Sequence, residues 1–207
     1  MKVAISVEST ADLSKELLEE YEIHVIPFTV NLGDRMEKDG IITPGDIFQY
    51  VDETGLLPKT SAINVYEYEH YFKKLKKEYD VIIHLSLSEK LSSAYHNACA
   101  CAYKINNVYV IDSKSLSTGI GLLAIYASKL VKQGLSPEEI VKKVEKRIPY
   151  VQASFVVNTL NYLYKGGRCT GLQKLGAMLL RLKPQIVLND GAMETGKKYR
   201  GKSNSVV

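Results

Sequence analysis

The run Val81-Ile82-Ile83-His84-Leu85 is the segment that most narrows the fold. It is short, apolar and β-rich, the pattern of a strand covered on both faces, as the strands of a parallel sheet are. The residues that follow, Ala94 to Tyr103, are alanine-rich and helix-prone, and Ser92-Ser93 stand at the handover as N-cap candidates. Backbone N–H groups and the positive end of a helix dipole meet at such a point, so it suits a carboxylate or a phosphate. On this motif alone the plainer reading is a serine that only caps its helix.

The alternation continues along the chain. Val3 to Val7 reads as a strand, Asp12 or Ser14 starts a helix through Leu13, Leu17 and Leu18, and Ile23 to Val30 reads as the second strand. Asn31 to Arg35 forms a turn, Thr43-Pro44-Gly45-Asp46 caps a helix carrying Ile47, Phe48, Tyr50 and Val51, and Val65 to Glu78 is a further helix. After the Val81 strand and the Ser92 helix come a strand at Val108 to Ile111, a helix from Leu116 to Gln133, and a capping-box start at Ser136-Pro137-Glu138-Glu139. This order implies an α/β fold with a mainly parallel sheet and helices on both faces.

The character changes near Pro149. Ala153 to Val157 is strand-like, Leu160 to Tyr164 helical, Lys165-Gly166-Gly167-Arg168 a corner, and Leu172 to Arg181 a helix. Pro184 to Met193 then reads as a strand entering an Asp-Gly hairpin. The expected domains are an α/β domain over residues 1–150 and a smaller, incomplete α+β domain over 151–207. A second domain of two or three strands is marginal alone, so it either docks on the first or is truncated.

Hydroxyls recur at the segment ends: Ser9-Thr10, Thr60-Ser61 after Leu56 to Lys59, Ser92-Ser93 and Asp112-Ser113. In open α/β sheets ligands gather outside the carboxyl ends of the strands, so these four points are expected to converge on one mouth. Other chemistry is weakly represented. The histidines His24, His70, His84 and His96 have no metal spacing and no nucleophile elbow beside them. Cys99 and Cys101, two apart on a helix, make a poor metal clip, and with Cys169 they read as reduced thiols of a cytosolic protein. The net charge of +4 is spread over Glu/Lys-mixed helices, which argues against nucleic-acid binding, and no signal peptide or membrane-spanning stretch is expected.

Seven segments in order resemble the DegV family of bacterial fatty-acid-binding proteins. They are Glu8 to Leu13, Leu57 to Ser61, Leu91 to Tyr95, Val110 to Ser113, Gly119 to Leu123, Leu163 to Arg168 and Gly196 to Gly201. The resemblance implies two domains enclosing one acyl chain, whose carboxylate is held by Thr60 and Ser92 with Ser61 and Ser93 in support and Arg168 near the polar head. It implies no cofactor and no turnover of its own, but presentation of the fatty acid to a separate kinase that makes the acyl phosphate, with Arg200 at the kinase-docking surface. Departures from the family pattern are Glu8 where an Asp is usual, Ser93-Ala94 where Gly-Thr follows the central serine, and Ile63-Asn64 where the Thr-Ser motif ends in Pro-Ser. The chain also stops short of the family's final third of the second domain. Two other readings stand beside the carrier: a small-molecule hydrolase or phosphotransferase using the same strand-end site, and a purely structural or regulatory module.

Overall fold

The computed structural model describes residues 1–157, 160–168 and 182–200. Its centre is a four-stranded parallel sheet, in the order β2-β1-β6-β7, built from β1 (Val3–Glu8), β2 (Ile23–Ile26), β6 (Val81–Ser86) and β7 (Val108–Asp112). Side chains alternate between the faces of a strand, so β1 and β6 each supply two layers. Ile5, Val7, Ile83 and Leu85 pack on one face with α5 (Thr118–Lys132) and α6 (Pro137–Arg147). Ala4 and Ile82 pack on the other with α3 (Val65–Leu75) and α4 (Ala94–Ala102). The mainly parallel sheet with helices on both faces is therefore the architecture.

Helix starts follow local chemistry. Thr43/Asp46 before α2 (Pro44–Thr54), Asn64/Glu67 before α3 and Ser136/Glu139 before α6 each form a reciprocal capping box. Ser14 caps α1 (Lys15–Glu20) by accepting from Leu17 N.

Three expectations need correction. Ile23 to Val30 is not one strand: β2 ends before Pro27, and β3 (Thr29–Leu32) begins a separate antiparallel sheet with β4 (Arg35–Lys38) and β5 (Lys59–Ser61), in the order β4-β3-β5. Proline has no N–H for a ladder, which makes it a natural break between sheets. The turn expected over residues 31–35 shrinks to Gly33-Asp34, because Leu32 pairs with Arg35 at the start of β4 (Arg35–Lys38). Thr60 and Ser61 do not follow a strand; they lie within β5 (Lys59–Ser61).

A third sheet, in the order β10-β9-β8, is antiparallel and comes from β8 (Ser154–Val156), β9 (Leu182–Asn189) and β10 (Ala192–Arg200). The short helix α7 (Asn161–Lys165) precedes β9. The tip of the β9–β10 hairpin docks on the parallel-sheet body: Asp190 accepts from Lys90 and Lys114 at 2.9 and 2.6 Å. The helix expected over 172–181 lies outside the described residues, as does Cys169.

Candidate functional site

Four residues break the apolar pattern of the two central strands: Ser6 and Glu8 on β1, His84 and Ser86 on β6. Alternation puts all four on the face covered by α3, and Ser6 stands directly opposite His84 in the ladder. All four are fully buried. Tyr68 Oη and Ser86 Oγ each donate to Glu8 Oε1 at 2.7 Å, and Leu87 N donates to Oε2 at 2.8 Å. His84 Nε2 lies 3.0 Å from Oε1. An ionised carboxylate only accepts, so Nε2 carries the hydrogen in this contact. The other ring nitrogen is 2.9 Å from Ser6 Oγ, which in turn meets Tyr71 Oη at 3.0 Å.

Burial pushes the Glu8 carboxyl up, but the charge of His84 and the hydrogen bonds from His84, Ser86 and Tyr68 outweigh it and hold the group below its ordinary 4.5. Burial, and then the Glu8 charge, push the Tyr68 hydroxyl well above its ordinary range, so it stays protonated as a donor. Ser6, His84 and Glu8 follow the hydroxyl, imidazole, carboxylate order of a nucleophile relay. Each is 0% exposed, so this serine is sealed from substrate. The network instead ties the end of β1, through Leu87 N, to the loop that carries Ser92.

That loop forms one wall of a cleft of about 1380 Å³. Thr10 after β1, Leu87, Leu91, Ser92 and Ser93 after β6, and Leu116 after β7 place the cleft at the carboxyl ends of the parallel strands. The antiparallel flap adds Val30, Tyr50, Leu57 and Thr60, and the C-terminal part adds Tyr162, Leu163, Arg168 and Met193. Most of this lining is apolar. Among its charged residues, Lys59, Lys165 and Arg168 face a single acid, Asp39, a balance that favours an anion.

The expected site residues separate here. Thr60, Ser92, Ser93 and Arg168 line the one cleft. Ser61 does not: Thr60 and its partner Val30 both line the cleft, while Ser61 and its partner Thr29 are not part of the lining. Ser93 is the positional N-cap of α4 without a side-chain cap bond, and Ser92 Oγ accepts from Ala94 N at 3.2 Å instead. Arg168 is exposed, with its guanidinium donating to the Gly166 carbonyl at 2.8 Å. Arg200 closes β10, and its side chain lies outside the described residues. Of the other hydroxyl-bearing ends, Ser9 Oγ is engaged by Phe28 N, Asp112 accepts from Glu89 N and Lys114 N, and Ser113 is buried. Sequence reasoning missed the Glu8 network, although polar residues at alternate positions of otherwise apolar strands were its visible trace. Among the described residues no group of His, Cys, Asp and Glu is arranged to hold a metal ion, and no helix is long and apolar enough to cross a membrane.

Comparison with known proteins gives one answer along the whole chain. The family profile described as "Uncharacterised protein, DegV family" matches residues 2–207. A protein of Thermotoga maritima named as a fatty acid-binding protein is 33% identical over 213 residues, spanning 100% of this chain and 74% of its own length. Among solved structures, a fatty-acid-binding DegV family protein from Thermus thermophilus superposes with a TM-score of 0.90 at 31% identity, over 99% of this chain and 74% of the other. A stearic acid-binding protein from Eubacterium ventriosum superposes with a TM-score of 0.86 at 27% identity, over 98% and 72%.

Proposed function

This chain belongs to the DegV family, and on that premise we propose that it carries a long-chain fatty acid in the cleft and presents the head group to a separate kinase. The observation that carries the reading is the composition of the cleft: a mostly apolar lining in which Thr60, Ser92 and Ser93 bring hydroxyls, with Arg168 nearby. An acyl chain gains about 0.8 kcal/mol per buried methylene, so the apolar walls supply affinity. The hydroxyls and the N–H groups at the head of α4 supply donors that a carboxylate, an acceptor only, requires. The volume exceeds the roughly 300–1,000 Å³ of common small-ligand pockets, in keeping with an extended ligand.

In this role the chain's residues bind and orient while the chemistry belongs to the partner. Thr60 and Ser92 hold the carboxylate, Arg168 screens its charge, and the buried Glu8 network keeps the Leu87 to Ser93 loop in place. The kinase brings the nucleotide and forms the acyl phosphate. Native mass spectrometry of the protein as purified from cells tests the carrier role: an adduct of fatty-acid mass released on denaturation is expected. An empty protein that also takes up no added stearate overturns it.

A further inference from the structure

Thr10 sits in the 3-10 turn Ser9–Ala11 that leaves β1, and its carbonyl is pinned by Ser117 N at 2.9 Å. The residue is partly exposed on the cleft wall beside Leu87, Ser92 and Leu116. Its hydroxyl is in an unusual state. Oγ1 is shut off from water and has no hydrogen-bond partner, whereas the neighbouring Ser9 hydroxyl accepts from Phe28 N at 3.1 Å. A buried polar group left unpaired destabilises the fold that contains it. Among the described residues the other such atoms are His24 Nε2 and Ser115 Oγ, and neither residue lines the cleft.

We propose that Thr10 is a further hydroxyl ligand of the fatty-acid head group, acting with Thr60 and Ser92. The inference rests on the carrier reading. A χ1 turn of about 120° moves Oγ1 to another staggered position, on the cleft side of the residue, where it donates to a carboxylate oxygen. The ligand then pairs a hydroxyl that has no partner within the chain, and losing that hydroxyl costs the ligand-free fold no internal hydrogen bond. Lost affinity without lost stability separates a ligand-binding hydroxyl from a packing one.

The test compares wild type, Thr10→Val, Thr10→Ser and Ser115→Ala, each freed of lipid, by stearate affinity and by the melting temperature of the ligand-free protein. Thr10→Val keeps the shape and removes the hydroxyl. It is expected to bind stearate roughly tenfold more weakly, the weight of one hydrogen bond to a charged acceptor, while its ligand-free melting temperature holds or rises. Thr10→Ser keeps the donor and is expected to bind as wild type does. Ser115→Ala removes an unpaired hydroxyl away from the cleft and is expected to leave affinity unchanged. Unaltered affinity in Thr10→Val overturns the proposal, as does equal loss in Thr10→Val and Thr10→Ser, or a loss that tracks a fall in ligand-free melting temperature. Failure of the wild type to bind stearate is a different result, since it removes the carrier reading itself.

Discussion

Glu8 Oε1 and His84 Nε2 lie 3.0 Å apart inside the parallel sheet, both residues fully buried, and the second oxygen of Glu8 holds Leu87 N at 2.8 Å. One carboxylate thus joins the two central strands to the loop that forms the cleft wall. The arrangement matters because every atom of that carboxylate facing a donor is used.

Glu8→Gln replaces one acceptor oxygen with a donor amide, which then meets either Leu87 N or the donors at Oε1. The expected loss at neutral pH is about 2–4 kcal/mol, the weight of hydrogen bonds to a charged acceptor together with a buried donor left unpaired, and urea unfolding measures it. The carboxyl lies below its ordinary 4.5 in the folded chain, so its stabilisation is present above that value and is lost as pH falls through the folded-state value. The gap between wild type and Glu8→Gln is therefore expected to narrow on acidification below about pH 4.5. A gap that does not change with pH would show that the carboxylate's charge contributes nothing.

Gly191 is the second sensitive point. Its φ is +81°, and a β-carbon there meets Ser88 Oγ at 2.3 Å and Lys114 Cα at 3.4 Å. Gly191→Ala is expected to destabilise by about 2–4 kcal/mol through left-handed strain and overlap together. Adding Ser88→Ala should recover the overlap part and leave the strain. Asp190→Ala removes two solvent-exposed ion pairs and is expected to have a smaller effect that shrinks further in high salt.

Adjacent hydroxyls provide the sharpest local comparison. Thr60 lines the cleft and Ser61 is not part of its lining. Thr60→Val is expected to lower stearate affinity about tenfold, and Ser61→Ala to leave it unchanged. Equal effects in a direct binding titration would count against the cleft as the head-group site.

Arg200→Ala addresses the partner. It is expected to spare stearate binding and to impair acyl-phosphate formation by a cognate kinase, which a coupled assay with magnesium and ATP reads. Loss of both activities in parallel would assign Arg200 to folding.

The sheet and its helices were legible because Val3 to Val7, Val81 to Leu85 and Val108 to Ile111 carry buried-strand patterns, and because the Ser14, Thr43 and Ser136 caps mark helix starts. The flap was not, since Pro27 sits inside one continuous apolar run and only tertiary pairing sends its two halves to different sheets. Thr60, Ser92, Ser93 and Arg168 were within reach of motif reading. Which of Thr60 and Ser61 lines the cleft was not, because that depends on how β5 is placed against the carboxyl ends of the parallel strands. The alternate polar residues of β1 and β6 mark the members of the Glu8 network, but their pairing rests on the register of two strands far apart in sequence.

A crystal structure of the lipid-free protein after addition of stearate tests the carrier role most directly. The carboxylate is expected within hydrogen-bond distance of Thr60 Oγ1 and Ser92 Oγ, with the acyl chain along the apolar wall that includes Phe28, Leu87 and Leu116. A cleft that stays empty at saturating stearate, or a carboxylate seated away from both hydroxyls, would contradict it.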